Sequence, residues 1–265
     1  MISKIFRITL TLAVASVALG SAAGAMTESR LRPCSNASLS GRYGSLGEGT
    51  DSEGAPEANL FLFKLDSSTG KYTGLNIGSD DGVIGTGSVT GTYAVAPNCT
   101  VTGTTSRNGN SHPFSGVLTS TGLQSVSGNP GTTNGGFWVA QGSPTCTNAG
   151  VKGGFGLALR GTFLAGAPFT GPLILIGELA LDVNASGDGV IRGHIAGSED
   201  GTILTFPEEP LTGFYSVDAN CTGTLTITPE GESPLHFTFV IVDSGKEMLA
   251  LETDANTVAT ATLQR

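Results

Sequence analysis

The chain has 265 residues, with 22 acidic against 13 basic side chains, a formal charge of -9 and only 13% charged residues. This balance repels phosphate backbones and anionic membrane surfaces, and no basic run interleaved with aromatics offsets it, so nucleic acid is not an expected partner. The 40 glycines follow no three-residue period and have alternating Val, Leu, Ile and Phe between them, which excludes collagen and points to strands punctuated by turns.

Residues 1–25 read as a secretory signal. Lys4 and Arg7 form the basic start, Ile8 to Leu19 an apolar stretch too short to span a bilayer, and Ala23-Gly24-Ala25 a small-x-small cleavage site, so the mature chain is expected to begin at Met26. A lipid anchor would need a small-residue box ending in cysteine, whereas Cys34 follows Arg32 and Pro33. No later run is long and apolar enough for a membrane helix. The strand-like segments are also shorter and poorer in aromatics than those of outer-membrane barrels, so membrane insertion is not expected.

After the signal the chain repeats itself. Cys34-x-Asn36-Ala37-x3-Gly41-x2-Gly44 returns as Cys146-x-Asn148-Ala149-x3-Gly153-x2-Gly156, with Tyr43 matching Phe155. Gly78-Ser79-Asp80-Asp81-Gly82-x-Ile84 returns as Gly197-Ser198-Glu199-Asp200-Gly201-x-Ile203. Thr90-Gly91-x-Tyr93-x-Val95-x2-Asn98-Cys99-Thr100 returns as Thr212-Gly213-x-Tyr215-x-Val217-x2-Asn220-Cys221-Thr222. The order is kept, so a duplication is inferred, with domains over 26–143 and 144–265 and a boundary in the polar stretch before Cys146.

Within one copy, Leu60 to Asp66 alternates, with Phe61, Phe63 and Leu65 on one face and Leu62 and Lys64 on the other. Leu179, Leu181 and Val183 repeat that phase in copy two. Asp80-Asp81-Gly82 and Ser67 to Gly70 carry hairpin chemistry. Further strands follow over Gly91–Val95, Thr100–Thr105, Pro113–Leu118, Leu123–Val126 and Gly136–Gln141. The fold class is therefore all-β, with two tandem antiparallel up-and-down barrels of about eight strands each, and a β-sandwich as the alternative. Thr257 to Gln264 is the expected closing strand of copy two.

The cysteine-Asn-Ala opening and the Gly-x-Tyr-x-Val…Cys-Thr stretch resemble a family of secreted bacterial proteins of unknown activity, whose members look like small barrels of the calycin or allene oxide cyclase type. The resemblance spans nearly the whole mature chain twice and implies a barrel fold. No cyclase catalytic residue matches a position here, and none is carried over.

Four cysteines in an exported chain, two per repeat, suggest Cys34–Cys99 and Cys146–Cys221 disulfides. Two other pairings are formally possible, and duplication favours the within-copy one. In a meander both cysteines of a pair lie at one end, so Cys34 to Ser40 is expected to lie over that barrel mouth as a lid, leaving the other end open. With no CxxC or Cys-His cluster, neither a metal site nor another cofactor is expected.

Asp80-Asp81 and Glu199-Asp200 read as hairpin turns before calcium ligands. His112 and His236 stand in similar places, each just before an apolar strand, and read as surface histidines before acid-base groups. Tyr93 and Tyr215 are the candidate ligand-binding residues, since a ring and a hydroxyl could line a pocket, although core filling is the ordinary role of such residues. The expected function is non-enzymatic and extracytoplasmic, secreted or periplasmic, with a small apolar ligand or a surface component as partner. A barrel isomerase or cyclase and a purely structural or adhesion module are the alternatives. Filled interiors in both copies would favour the structural reading, and an open apolar pocket the binding one.

Overall fold

The computed structural model describes residues 33–107, 109–167, 170–205 and 211–265, and the expected signal segment 1–25 lies outside them. The first barrel contains β1 (Gly41–Thr50), β2 (Pro56–Asp66), β3 (Lys71–Asp80), β4 (Val83–Val95), β5 (Thr100–Arg107), β6 (Asn110–Leu118), β7 (Leu123–Ser127) and β8 (Thr133–Ala140). Each strand pairs antiparallel with the next, and β1 also pairs with β8 from Tyr43↔Ala140 to Thr50↔Thr133. The sheet therefore closes on itself and leaves no edge strand, which rules out the sandwich.

The second barrel contains β9 (Gly153–Phe163), β10 (Gly171–Val183), β11 (Gly189–Glu199), β12 (Thr202–Thr205), β13 (Leu211–Val217), β14 (Thr222–Thr228), β15 (Leu235–Val242), β16 (Glu247–Glu252) and β17 (Thr257–Gln264). It closes through β17 on β9, so the last run is the closing strand, as its alternation predicts. Among the described residues, which leave out 206–210, nine strand segments do the work of eight. β12 and β13 lie along the same edge of β11, over Glu199–Ala196 and Gly193–Gly189, where the first barrel has β4 running unbroken along β3. The repeat locates the break: Ile84 matches Ile203 but Thr90 matches Thr212, so copy two carries three extra residues between those points.

The acidic turns are two-residue hairpins. Asp81 and Gly82 have φ of 48° and 75°, and Asp200 and Gly201 have 44° and 80°, the paired positive values of the turn that matches strand twist.

The barrels meet through their outer walls. Leu46, Ala58 and Leu60 of the first form one buried cluster with Val240, Leu249 and Leu251 of the second, and Leu62 and Phe137 pack at its margin. This accounts for strand β2, whose sequence is apolar on both faces: Phe63 and Leu65 point into the barrel, while Leu60 and Leu62 point at its neighbour. Gly44 permits the close approach, since a Cβ there would stand 2.5 Å from a methyl of Val242. Polar ties surround the cluster. Glu48 accepts from Arg160 Nε at 2.8 Å and from the Thr260 hydroxyl, and Gln141 Nε2 donates to the Ile241 carbonyl at 3.1 Å.

Candidate functional site

Two of the three recurring blocks, the Cys-x-Asn-Ala opening and the Gly-x-Tyr-x-Val…Cys-Thr stretch, gather at one end of each barrel and plug it. Cys34 is bonded to Cys99 and Cys146 to Cys221, with Cα atoms 5.0 and 4.8 Å apart. Between each cysteine and its first strand the chain makes one 3-10 turn, Asn36–Ser38 in copy one and Asn148–Val151 in copy two. The repeated asparagine pins that turn: Asn36 Oδ1 accepts the Val95 N–H at 2.8 Å and Asn148 Oδ1 accepts the Val217 N–H at 2.9 Å. Leu39 and Val151 then sit fully buried in the two interiors.

The Gly-x-Tyr-x-Val stretch serves the same plug. Tyr93 donates its hydroxyl to the Leu39 carbonyl at 2.6 Å, and Tyr215 donates to the Asn148 carbonyl at 2.9 Å. Burial pushes both phenols up to about 12. The structure thus places the two candidate tyrosines at the plugged ends, with their hydroxyls engaged by backbone. Asn98 and Asn220, each before its cysteine, accept from the backbone N–H and hydroxyl of Thr100 and Thr222 in tight local turns.

At the opposite end the barrels diverge. The mouth of the first opens into a cavity of about 350 Å³. Its floor is aromatic: Phe61 stacks on Phe63 at 5.0 Å, Phe63 lies 4.5 Å from Trp138, and Phe114 lies 5.4 Å from Trp138, between ring centroids. Its walls are polar, and their hydrogen bonds interlock. Asn59 Nδ2 donates to Glu57 at 2.6 Å, Asn134 Nδ2 donates to the other oxygen of Glu57 at 3.3 Å, and Asn76 Nδ2 donates to Asn59 Oδ1 at 3.0 Å.

Charge is concentrated at the rim. Asp51, Glu57 and Asp80 line it together with Arg107. Among the described residues the Arg107 guanidinium forms no ion pair and makes one long hydrogen bond, to Asn59 Oδ1 at 3.5 Å. The Asp80 carboxyl is raised from its ordinary value by burial and by the Glu57 and Asp51 carboxylates, with Arg107 opposing. His112 stands on the wall, its Nδ1 2.6 Å from the Asn129 amide nitrogen.

The strand ladders give the counterparts of these residues in the second barrel. Gly47 opposite Asn59 corresponds to Leu159 opposite Leu175, and Gly49 opposite Glu57 to Gly161 opposite Leu173. Thr105 opposite His112 corresponds to Ile227 opposite Leu235. Asn134 becomes Ala259 and Trp138 becomes Leu263. The leucines and Ile227 are buried in the packed interior of barrel two, so the positions of Gly47, Glu57, Asn59, Thr105, His112 and Asn134 are polar or empty in the first copy and apolar in the second, while Gly49 is matched by another glycine and Trp138 by leucine.

This register corrects the pairing of the histidines. His112 corresponds to Leu235, and His236 lies one residue on, which in a strand reverses the face. His236 is outside its barrel, half-exposed, with Nδ1 2.7 Å from Asp254 Oδ1. Apart from Tyr93 and Tyr215, the sequence offered no candidates for a pocket, because self-comparison selects residues kept in both copies and the mouth is built from residues that differ. The available signal lay in the interior phase: Glu57, Asn59 and Phe61 alternate in step with Phe63 and Leu65, so polar groups were set to point inward.

No family model matches the sequence, and no curated protein is similar to it. Among solved structures the chain is similar to a protein of unknown function from the DUF3598 family of Nostoc punctiforme. The identity is 10% and the TM-score 0.25, over 86% of this chain and 97% of that one.

Proposed function

We propose that this is an exported, non-enzymatic binding protein whose first barrel holds a small amphipathic molecule in its mouth while the second serves as a packed scaffold. One observation carries the reading. Two barrels of the same fold and plug differ where a ligand would enter, one lined by Glu57, Asn59, Asn134 and Arg107 over aromatic rings, the other filled with leucine and isoleucine. Polar side chains that hold one another in place around an open cavity are what a binding site needs, and the filled copy has leucines at those positions. The mouth departs from the wholly apolar pocket expected of the sequence, and so the proposed ligand has a polar side. A purely structural module would have no use for an interior filled in one copy and open in the other.

Export is supported by two disulfides, which persist in oxidising compartments, together with the signal-like start of the sequence. Native mass spectrometry of the chain purified from its own source tests the binding role. A retained small molecule, lost when Asn59→Leu copies the second barrel's residue into the first, is the expected result. A chain that carries nothing, and whose Trp138 emission responds to no class of small molecule, overturns it.

A further inference from the structure

We infer that the mouth of the first barrel takes a pyranose sugar or a short oligosaccharide, an assignment that rests on the binding role proposed above and narrows it. Three other ligand classes fit the lining less well. A wholly apolar molecule would strip water from Glu57, Asn134 and Arg107 without replacing their hydrogen bonds. An anion would meet three carboxylates, Asp51, Glu57 and Asp80, against one guanidinium, and Asp80 is already raised by burial and by its carboxylate neighbours. For a metal ion, no group of three His, Cys, Asp or Glu among the described residues stands close enough to hold one.

A neutral molecule with an apolar face and a polar edge remains, and a pyranose ring has both. Its axial C–H groups form a flat surface that packs on an aromatic ring, and its hydroxyls, each a donor and an acceptor, fan out near the ring plane. Phe61, half-buried at the cavity, supplies a ring for such a face, with Phe63 and Trp138 packed behind it. Glu57, Asn134 and Arg107 supply planar groups, each able to address two neighbouring hydroxyls at once. The bonds of Asn59 and Asn134 to Glu57 hold the carboxylate in place before any ligand arrives, which lowers the ordering cost of binding. The cavity of about 350 Å³ lies at the small end of ligand sites and suits about one or two rings.

Trp138 is the only tryptophan in the chain, so its emission reports on the floor directly. The test titrates the purified chain with glucose, galactose, mannose, N-acetylglucosamine, cellobiose and maltose. A saturable change with at least one of them is expected, weakened about tenfold in Asn134→Ala and in Glu57→Gln, each of which removes one charge-assisted or amide contact. Should Asn134→Ala fail to fold, Glu57→Gln, which keeps the side-chain shape, decides. Silence toward every sugar, with a response to an alkyl amine or a fatty acid, overturns the sugar assignment while the binding role stands. Silence toward all classes overturns both, and undiminished sugar affinity in both variants places the sugar elsewhere and also overturns the assignment.

Discussion

At the plugged end the two barrels are close to interchangeable: a disulfide, an asparagine that pins a 3-10 turn, and a tyrosine that donates to the turn's backbone occur in both. At the other end the same ladder positions hold Glu57, Asn59 and His112 in one copy and Leu173, Leu175 and Leu235 in the other. The repeated cysteine, asparagine and tyrosine thus hold the plug in both copies, and the copies differ at the end where the binding role is proposed.

The largest effect on that comparison is expected from the disulfides. Replacing Cys34 and Cys99 by Ser, or Cys146 and Cys221, opens a loop spanning 65 or 75 residues, and the chain-entropy model gives about 4 kcal/mol for either. Urea titration of the two double variants should therefore show nearly equal losses. A large inequality would mean that the plugs are not energetically alike.

Next comes the shared wall. Leu60 and Ile176 occupy equivalent positions, yet Leu60 is 1% exposed against the second barrel and Ile176 is 59% exposed. Leu60→Ala should cost about 2–4 kcal/mol by transfer and cavity terms, and Ile176→Ala about 0.5 kcal/mol or less. Paired thermal melts read the contrast directly.

A third contrast concerns acid inside the barrels. Glu252 is fully buried in the second barrel, where the first barrel has Ser127. Burial pushes its carboxyl up to about 9, the Asp254 carboxylate adds to the rise, and the Thr257 hydroxyl opposes it. Because the folded value lies above the unfolded one, the folded state binds the extra proton. Stability is therefore full below about 4.5 and is lost as pH rises toward about 9. Glu252→Gln should flatten that decline, with a gain on the order of a few kcal/mol at the alkaline end and little difference near pH 4, as read from melts across the range.

The smallest effect is expected from the tyrosines. Tyr93→Phe and Tyr215→Phe each leave one plug carbonyl without its donor and should cost about 1 kcal/mol apiece. Ligand titrations of the first barrel should be unchanged by either, since both hydroxyls face the closed ends.

The closed barrel was legible because alternation, turn chemistry and a repeat all agreed, down to Thr257–Gln264 as the last strand. The double-sided burial of β2 was not, since Leu60 and Leu62 take their meaning from a neighbour 178 or more residues away in sequence, Val240 and Leu249 among them. The split of β4's counterpart could have been read from three inserted residues alone. The mouth was hidden for a different reason: Glu57 and Asn134 look like surface residues until the ladder shows which way they face.

One contact between the barrels bears on how the first is used. The hairpin that ends in Asp80 does not hang free: the Gly82 carbonyl accepts the Asn256 N–H at 2.9 Å, and Ser79 donates its hydroxyl to the Thr257 carbonyl at 2.5 Å. A loop of the second barrel is in this way a bracket for the doorway of the first. The packed neighbour thereby supports one side of the entrance, and Asn256, although it belongs to the second barrel, is a structural part of it.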